Sequence, residues 1–183
     1  MGLSDAERRR LLLIARATVA ARLGDPTADG ATDTGETEAL RRRAGAFVTL
    51  RVAGALRGCI GHVEADAPVS EIVRRVAVAA ATEDPRFPAL TRAELAEVLF
   101  EVSVLGPLLD LADASGIEVG RHGLVVEEGT HRGLLLPQVA VEWGWDARSF
   151  LGQTCRKAGL PPDAWTRGAR VWTFEAEVFA EAD

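Results

Sequence analysis

Two stretches of the chain fold back on themselves, and this constrains the architecture more than any other feature. Phe47-Val48-Thr49-Leu50-Arg51-Val52 alternates as a half-buried strand does, Ala53-Gly54 supplies a tight turn, and Ala55-Leu56-Arg57-Gly58-Cys59-Ile60 runs back. Later, His122 to Glu127 and His131 to Leu136 read as a second hairpin about Glu128-Gly129. Phe100, Val102 and Val104 line one side of another strand with Glu101 and Ser103 on the other, and Trp172, Phe174, Ala176 and Val178 alternate through a last one. Hairpins interleaved with helices, rather than a regular βαβ succession, predict an α+β fold with a mainly antiparallel sheet flanked by helices.

The helices announce themselves by their caps. Ser4-Asp5-Ala6-Glu7 has capping-box spacing with Leu3 as a staple, and Leu11, Ile14, Ala15 and Val19 follow at helical spacing, which predicts a helix from about Asp5 to Leu23. Residues 24–37 are acidic and small, without a large apolar anchor, and read as a mobile loop; a short turn carrying Ala39 and Leu40 follows. Val69, Ile72, Val73, Val76 and Ala80 mark a second long helix, Thr91-Arg92-Ala93-Glu94 is another capping box, and Leu136-Pro137-Gln138 turns strand into helix. Asp146 caps a helix whose Phe150, Leu151, Thr154, Cys155 and Ala158 share one side, so Cys155 reads as core.

With 183 residues the chain suits a single domain over 1–183 or one domain with two lobes, and no apolar run reaches the roughly 18 to 20 residues that a bilayer span needs. Acids and arginines fill Met1 to Arg10, where a secretory signal needs its apolar stretch, so the expected location is cytoplasmic. The net charge of −6 argues against a nucleic-acid partner, and Arg8-Arg9-Arg10 and Arg41-Arg42-Arg43 read as solvated helix faces. Two distant cysteines make no disulfide framework. Trp143, Trp145, Trp165 and Trp172 suit packing better than base stacking in so acidic a chain.

Several short strings then occur in a fixed order: Phe47-Val48-Thr49-Leu50, Leu56-Arg57-Gly58-Cys59-Ile60-Gly61, Asp84-Pro85-Arg86-Phe87-Pro88, Glu101-Val102-Ser103-Val104-Leu105, Leu135-Leu136-Pro137-Gln138-Val139-Ala140, Trp145-Asp146 with Phe150-Leu151, and Lys157-Ala158-Gly159-Leu160. Together they resemble the AMMECR-type domain family, whose signature is the Leu-Arg-Gly-Cys-Ile-Gly string. The resemblance implies a larger and a smaller lobe with a cleft between them. It also suggests the bacterial and archaeal form called AmmeMemoRadiSam system protein A, and hence a radical S-adenosylmethionine enzyme and a Memo-like protein as partners. It carries no defined reaction. His62 follows the signature here but is not part of the motif.

The signature supports specific chemistry. In a regular strand Arg57 and Cys59 share a face with Cα atoms about 6 to 7 Å apart, and a guanidinium so placed favours a thiolate, which makes Cys59 a candidate nucleophile and Arg57 its candidate stabiliser. The competing reading is a buried cysteine between packing glycines. Gly58 and Gly61 would let a substrate approach the backbone, Arg86 in its stiff loop would meet an anionic group or pair with Asp84, and Gln138, with Glu142 on the same helix face, would line a wall. Cys59-Ile60-Gly61-His62 has a spacing that suggests a metal, but residues three apart in a strand face opposite ways, and the proposed hairpin sets His122 against Leu135 and His131 against Val126. No metal and no cofactor are therefore expected. The Gly54, Gly58, Gly61 string is not a phosphate loop, since no Lys-Ser/Thr follows and it opens no helix. Two functional readings remain: an enzyme or enzyme subunit using Cys59 in the inter-lobe cleft on a small-molecule or protein substrate, and a non-catalytic module binding a substrate or partner.

Overall fold

The computed structural model describes residues 2–25 and 37–182. Most of the segment read as a mobile loop, 26–36, lies outside the described residues. The chain divides into two compact units, one running up to Leu105 and resuming at Glu177, the other Gly106–Ala176.

In the first unit, α1 (Asp5–Arg22) begins as its cap predicts: the Glu7 amide donates to Ser4 Oγ at 3.3 Å, and the Ser4 amide donates to Glu7 Oε2 at 2.8 Å. A short α2 (Glu38–Arg41) buries Leu40, and α3 (Val69–Thr82) buries Ile72, Val73 and Val76. These helices pack on a four-stranded sheet ordered β2-β1-β3-β8, with β1 Ala46–Val52, β2 Ala55–His62, β3 Val98–Leu105 and β8 Ala176–Ala180. Val48, Leu50, Phe100, Val102 and Val104 form the floor of this core, each fully burying a side chain worth about 1.5–3 kcal/mol.

The β1–β2 turn uses Ala53 and Gly54, both at positive φ (48° and 79°), as a type I′ connection requires. The returning strand is not regular. Leu50 pairs with Gly58 but Arg51 pairs with Leu56, so Arg57 is the extra residue of a β-bulge.

The second unit holds a sheet ordered β4-β7-β5-β6, built from β4 Leu109–Asp110, β5 Gly123–Glu128, β6 His131–Leu135 and β7 Arg170–Phe174. With α4 (Pro137–Glu142) and α5 (Ala147–Lys157), it encloses a core of Leu124, Val126, Ala140, Phe150, Leu151 and Cys155. There are thus two antiparallel sheets where the sequence suggested one.

Two boundaries differ from expectation. The second hairpin turns at Gly129, at φ 61°, and Thr130, so Glu128 faces His131 and Leu124 faces Leu135, a register two residues from the predicted one. The single last strand is two: the chain breaks at Glu175, whose carbonyl accepts from the Gly106 amide at 2.8 Å, and β7 and β8 enter different sheets. Alternation continues across the break, so periodicity alone does not reveal it.

Candidate functional site

β2 is an edge strand, so half of its backbone polar groups face away from β1 and need other partners. At Cys59 the 84–88 loop supplies them. The Cys59 amide donates to Asp84 Oδ2 at 2.8 Å, and Arg86 Nη2 donates to the Cys59 carbonyl at 3.3 Å. Asp84 is only 5% exposed and holds Arg86 in turn, accepting from its amide (3.1 Å), its Nε (3.0 Å) and its Nη2 (2.7 Å). The loop thereby takes the place of a further strand beside one residue. Its prolines limit its freedom, and its exit is tied by the Leu90 amide donating to Ala81 O at 2.7 Å.

The electrostatics follow. Hydrogen bonds from Arg86, joined by those from the Cys59 and Arg86 amides, hold the Asp84 carboxyl well below the usual carboxylate range despite the opposing effect of burial. Asp84 in return pushes the Arg86 guanidinium further up.

The Cys59 side chain is half-buried. Thr49, its cross-strand partner on β1, donates from Oγ1 to Cys59 Sγ at 3.3 Å. Thr49 also pairs with Glu101 on β3, so a row of three polar side chains runs across the sheet on the face opposite Val48 and Leu50. Glu101 is 3.9 Å from Arg51 Nε. Thr49 and the clamping role of Asp84 were not singled out from sequence. Both depend on a register that a bulge shifts and on a loop contact across 25 residues.

Arg57 does not serve the sulfur in this geometry. Its Nε reaches Glu94 Oε1 at 3.1 Å and its Nη1 donates to Pro88 O at 2.9 Å. Glu94, bonded first by Thr91 and then by Arg57, is brought down to about 2. The bulge is the physical reason, because it takes Arg57 out of the alternation that would have set it beside Cys59. The signature glycines have packing roles. A Cβ on Gly58 would lie 2.3 Å from Ala80 O of α3, and one on Gly61 would lie 2.1 Å from the Phe47 ring.

Gln138 lies half-buried in the first turn of α4, in the second unit, while Cys59, Asp84 and Arg86 come together in the first. His62 Nε2 is 3.0 Å from Asp66 Oδ1, and its Nδ1 is 3.6 Å from Glu64. Among the described residues no cluster of three or more His, Cys, Asp or Glu side chains is placed to hold a metal. No described helix is long and apolar enough to cross a membrane. Cys155 is fully buried on α5, and burial pushes its thiol up.

The AMMECR1 family model matches residues 12–179, a stretch that runs through both compact units. The chain belongs to the AMMECR1 family. Among AMMECR1-like relatives, protein Mbar_A1807 of Methanosarcina barkeri is 41% identical over 99% of this chain and 93% of its own length. A protein of Methanothermobacter thermautotrophicus is 51% identical over 79% of each chain. The crystal structure of the uncharacterized protein PH0010 from Pyrococcus horikoshii superposes with a TM-score of 0.85 at 38% identity, covering 98% of this chain and 93% of that one.

Proposed function

We propose that this AMMECR1-family protein is an enzyme or enzyme subunit whose reactive group is the Cys59 thiol. It acts on a small-molecule or protein substrate, in the cytoplasm, where free thiols stay reduced. A radical S-adenosylmethionine protein and a Memo-like protein are the partners, as the resemblance to AmmeMemoRadiSam system protein A suggests. The observation that carries the reading is the Thr49 hydroxyl bonded to a half-buried Cys59 sulfur. A hydroxyl donor there stabilises negative charge on sulfur, and the Asp84–Arg86 clamp fixes the backbone that carries it. In an addition step, sulfur bonds to the carbon of a substrate carbon–oxygen double bond, the π electron pair moves to that oxygen, and the thiol proton reaches the same oxygen by way of solvent.

One observation favours the other reading, a non-catalytic binding module. Both nearby cations are already neutralised, Arg57 by Glu94 and Arg86 by Asp84, which suits a rigid docking surface as well as a reactive site. The test combines the wild-type protein, Cys59→Ser and Cys59→Ala with the two partner proteins and cell extract, and follows intact mass and partner association. A covalent adduct on Cys59 in the wild type, absent from both folded variants, supports catalysis. Unmodified wild-type protein, with partner association equal in Cys59→Ala, overturns it in favour of docking.

A further inference from the structure

The second unit presents a feature unrelated to Cys59. α5 reads Ala-Arg-Ser-Phe-Leu-Gly-Gln-Thr-Cys-Arg-Lys and contains no carboxylate, although the chain as a whole carries a net charge of −6. One side of the helix is buried through Phe150, Leu151, Thr154 and Cys155. The other side forms part of an open groove of about 360 Å³ lined by Arg148, Ser149, Gly152, Gln153, Arg156 and Pro162. Arg148, Gly152 and Arg156 stand at successive intervals of four, so the two arginines flank the glycine on one face. Among the described residues neither guanidinium has a carboxylate within ion-pair distance; Asp146, which accepts from the Ser149 amide at 2.7 Å as the helix cap, attracts Arg148 from further off, and Asp163 pairs with Arg167.

Gly152 is the second clue. Glycine is a poor residue for a helix interior, and here a Cβ would meet nothing nearer than Pro162 O at 3.4 Å, an ordinary contact. Neither the fold nor the packing requires a glycine at this place. What its absent side chain does provide is room beside Pro162 on the floor of the groove, between two arginines that form no ion pair within 4 Å.

We infer that this face of α5 is a binding site for a phosphate-type oxyanion carrying more than one negative charge, such as a diphosphate group. Arginine forks match phosphate oxygens two at a time, and Ser149 and Gln153 add neutral donors. The arginine Cα atoms are separated by about 12 Å along the helix, a span that long side chains close over a diphosphate but not over a lone carboxylate. A nucleic-acid strand fits less well, because the groove offers no aromatic side chain for a base and the chain is acidic.

Calorimetric titration of the full chain with inorganic pyrophosphate, and separately with inorganic phosphate, at fixed ionic strength tests the site. Pyrophosphate should bind saturably and more tightly than phosphate. Arg148→Gln and Arg156→Gln should each weaken it by about tenfold. Gly152→Ala should weaken it several-fold without lowering the melting temperature, Lys157→Gln should leave it within about twofold, and Cys59→Ala should leave it unchanged. Absence of saturable binding, indifference to both arginine changes, or an equal loss in Lys157→Gln would overturn the assignment. So would a short single-stranded oligonucleotide that binds more tightly than pyrophosphate through the same arginines.

Discussion

Cys155 and Cys59 place the same side chain in opposite surroundings. Cys155 lies in a helix stripe among Phe150, Leu151 and Ala164, fully buried, with its thiol pushed up by the loss of water. Cys59 lies on an edge strand, half-buried, with a hydroxyl on its sulfur and a carboxylate and a guanidinium on its backbone. The first cysteine is a small apolar filler whose neighbours exclude chemistry. The second has polar groups on both its backbone and its sulfur, of which Asp84 is buried and Arg86 stays half exposed.

Removing the clamp should have the largest effect. Asp84→Ala leaves the Cys59 amide and the Arg86 guanidinium without their partner, and should cost about 3 kcal/mol in a urea titration. A loss under about 0.5 kcal/mol would mean that the loop merely rests against the strand. The pH dependence has a definite sign. Folding depresses both Asp84, ordinarily 3.8, and Glu94, ordinarily 4.5 and brought to about 2. Their stabilisation is therefore complete above about pH 4.5 and is lost as pH falls toward 2 and below. The stability curves of the wild type and Asp84→Asn should converge over that interval, and parallel curves would contradict the clamp's charge.

The cysteines themselves come next. Cys155→Ser places a hydroxyl in a dry core and should cost about 2 kcal/mol, whereas Cys59→Ser should cost under about 0.5 kcal/mol. Equal costs would erase the contrast. The last effect is on rate: Thr49→Val should change stability by less than about 1 kcal/mol while slowing alkylation of Cys59 about three- to tenfold, in proportion to one lost hydrogen bond. An unchanged rate would show that the hydroxyl does not act on the sulfur.

Much of this molecule was legible before its coordinates. The Ser4 and Thr91 capping boxes, the Ala53-Gly54 turn, the alternation of Phe100, Val102 and Val104, and the core position of Cys155 are all local patterns, and local patterns survive folding. The site was readable as a string but not as an arrangement. Counted back from the Ala53-Gly54 turn, an unbroken ladder sets Thr49 against Gly58; the bulge at Arg57 shifts the register by one and sets it against Cys59. That shift also frees Arg57 to join Glu94, a partner 37 residues away. The Asp84-Pro85-Arg86 string left Arg86 either to meet an anionic group or to pair with Asp84, and the ion pair is present. Its docking on the Cys59 backbone depends on which strand forms the sheet edge, and composition does not carry that information.

The most direct test is timed alkylation of the folded protein with iodoacetamide, with each cysteine followed by peptide mass spectrometry. Cys59 should be modified while Cys155 stays protected until the chain is unfolded, and Thr49→Val should slow the first reaction without exposing the second. Protection of Cys59 equal to that of Cys155 in the folded state would contradict the account.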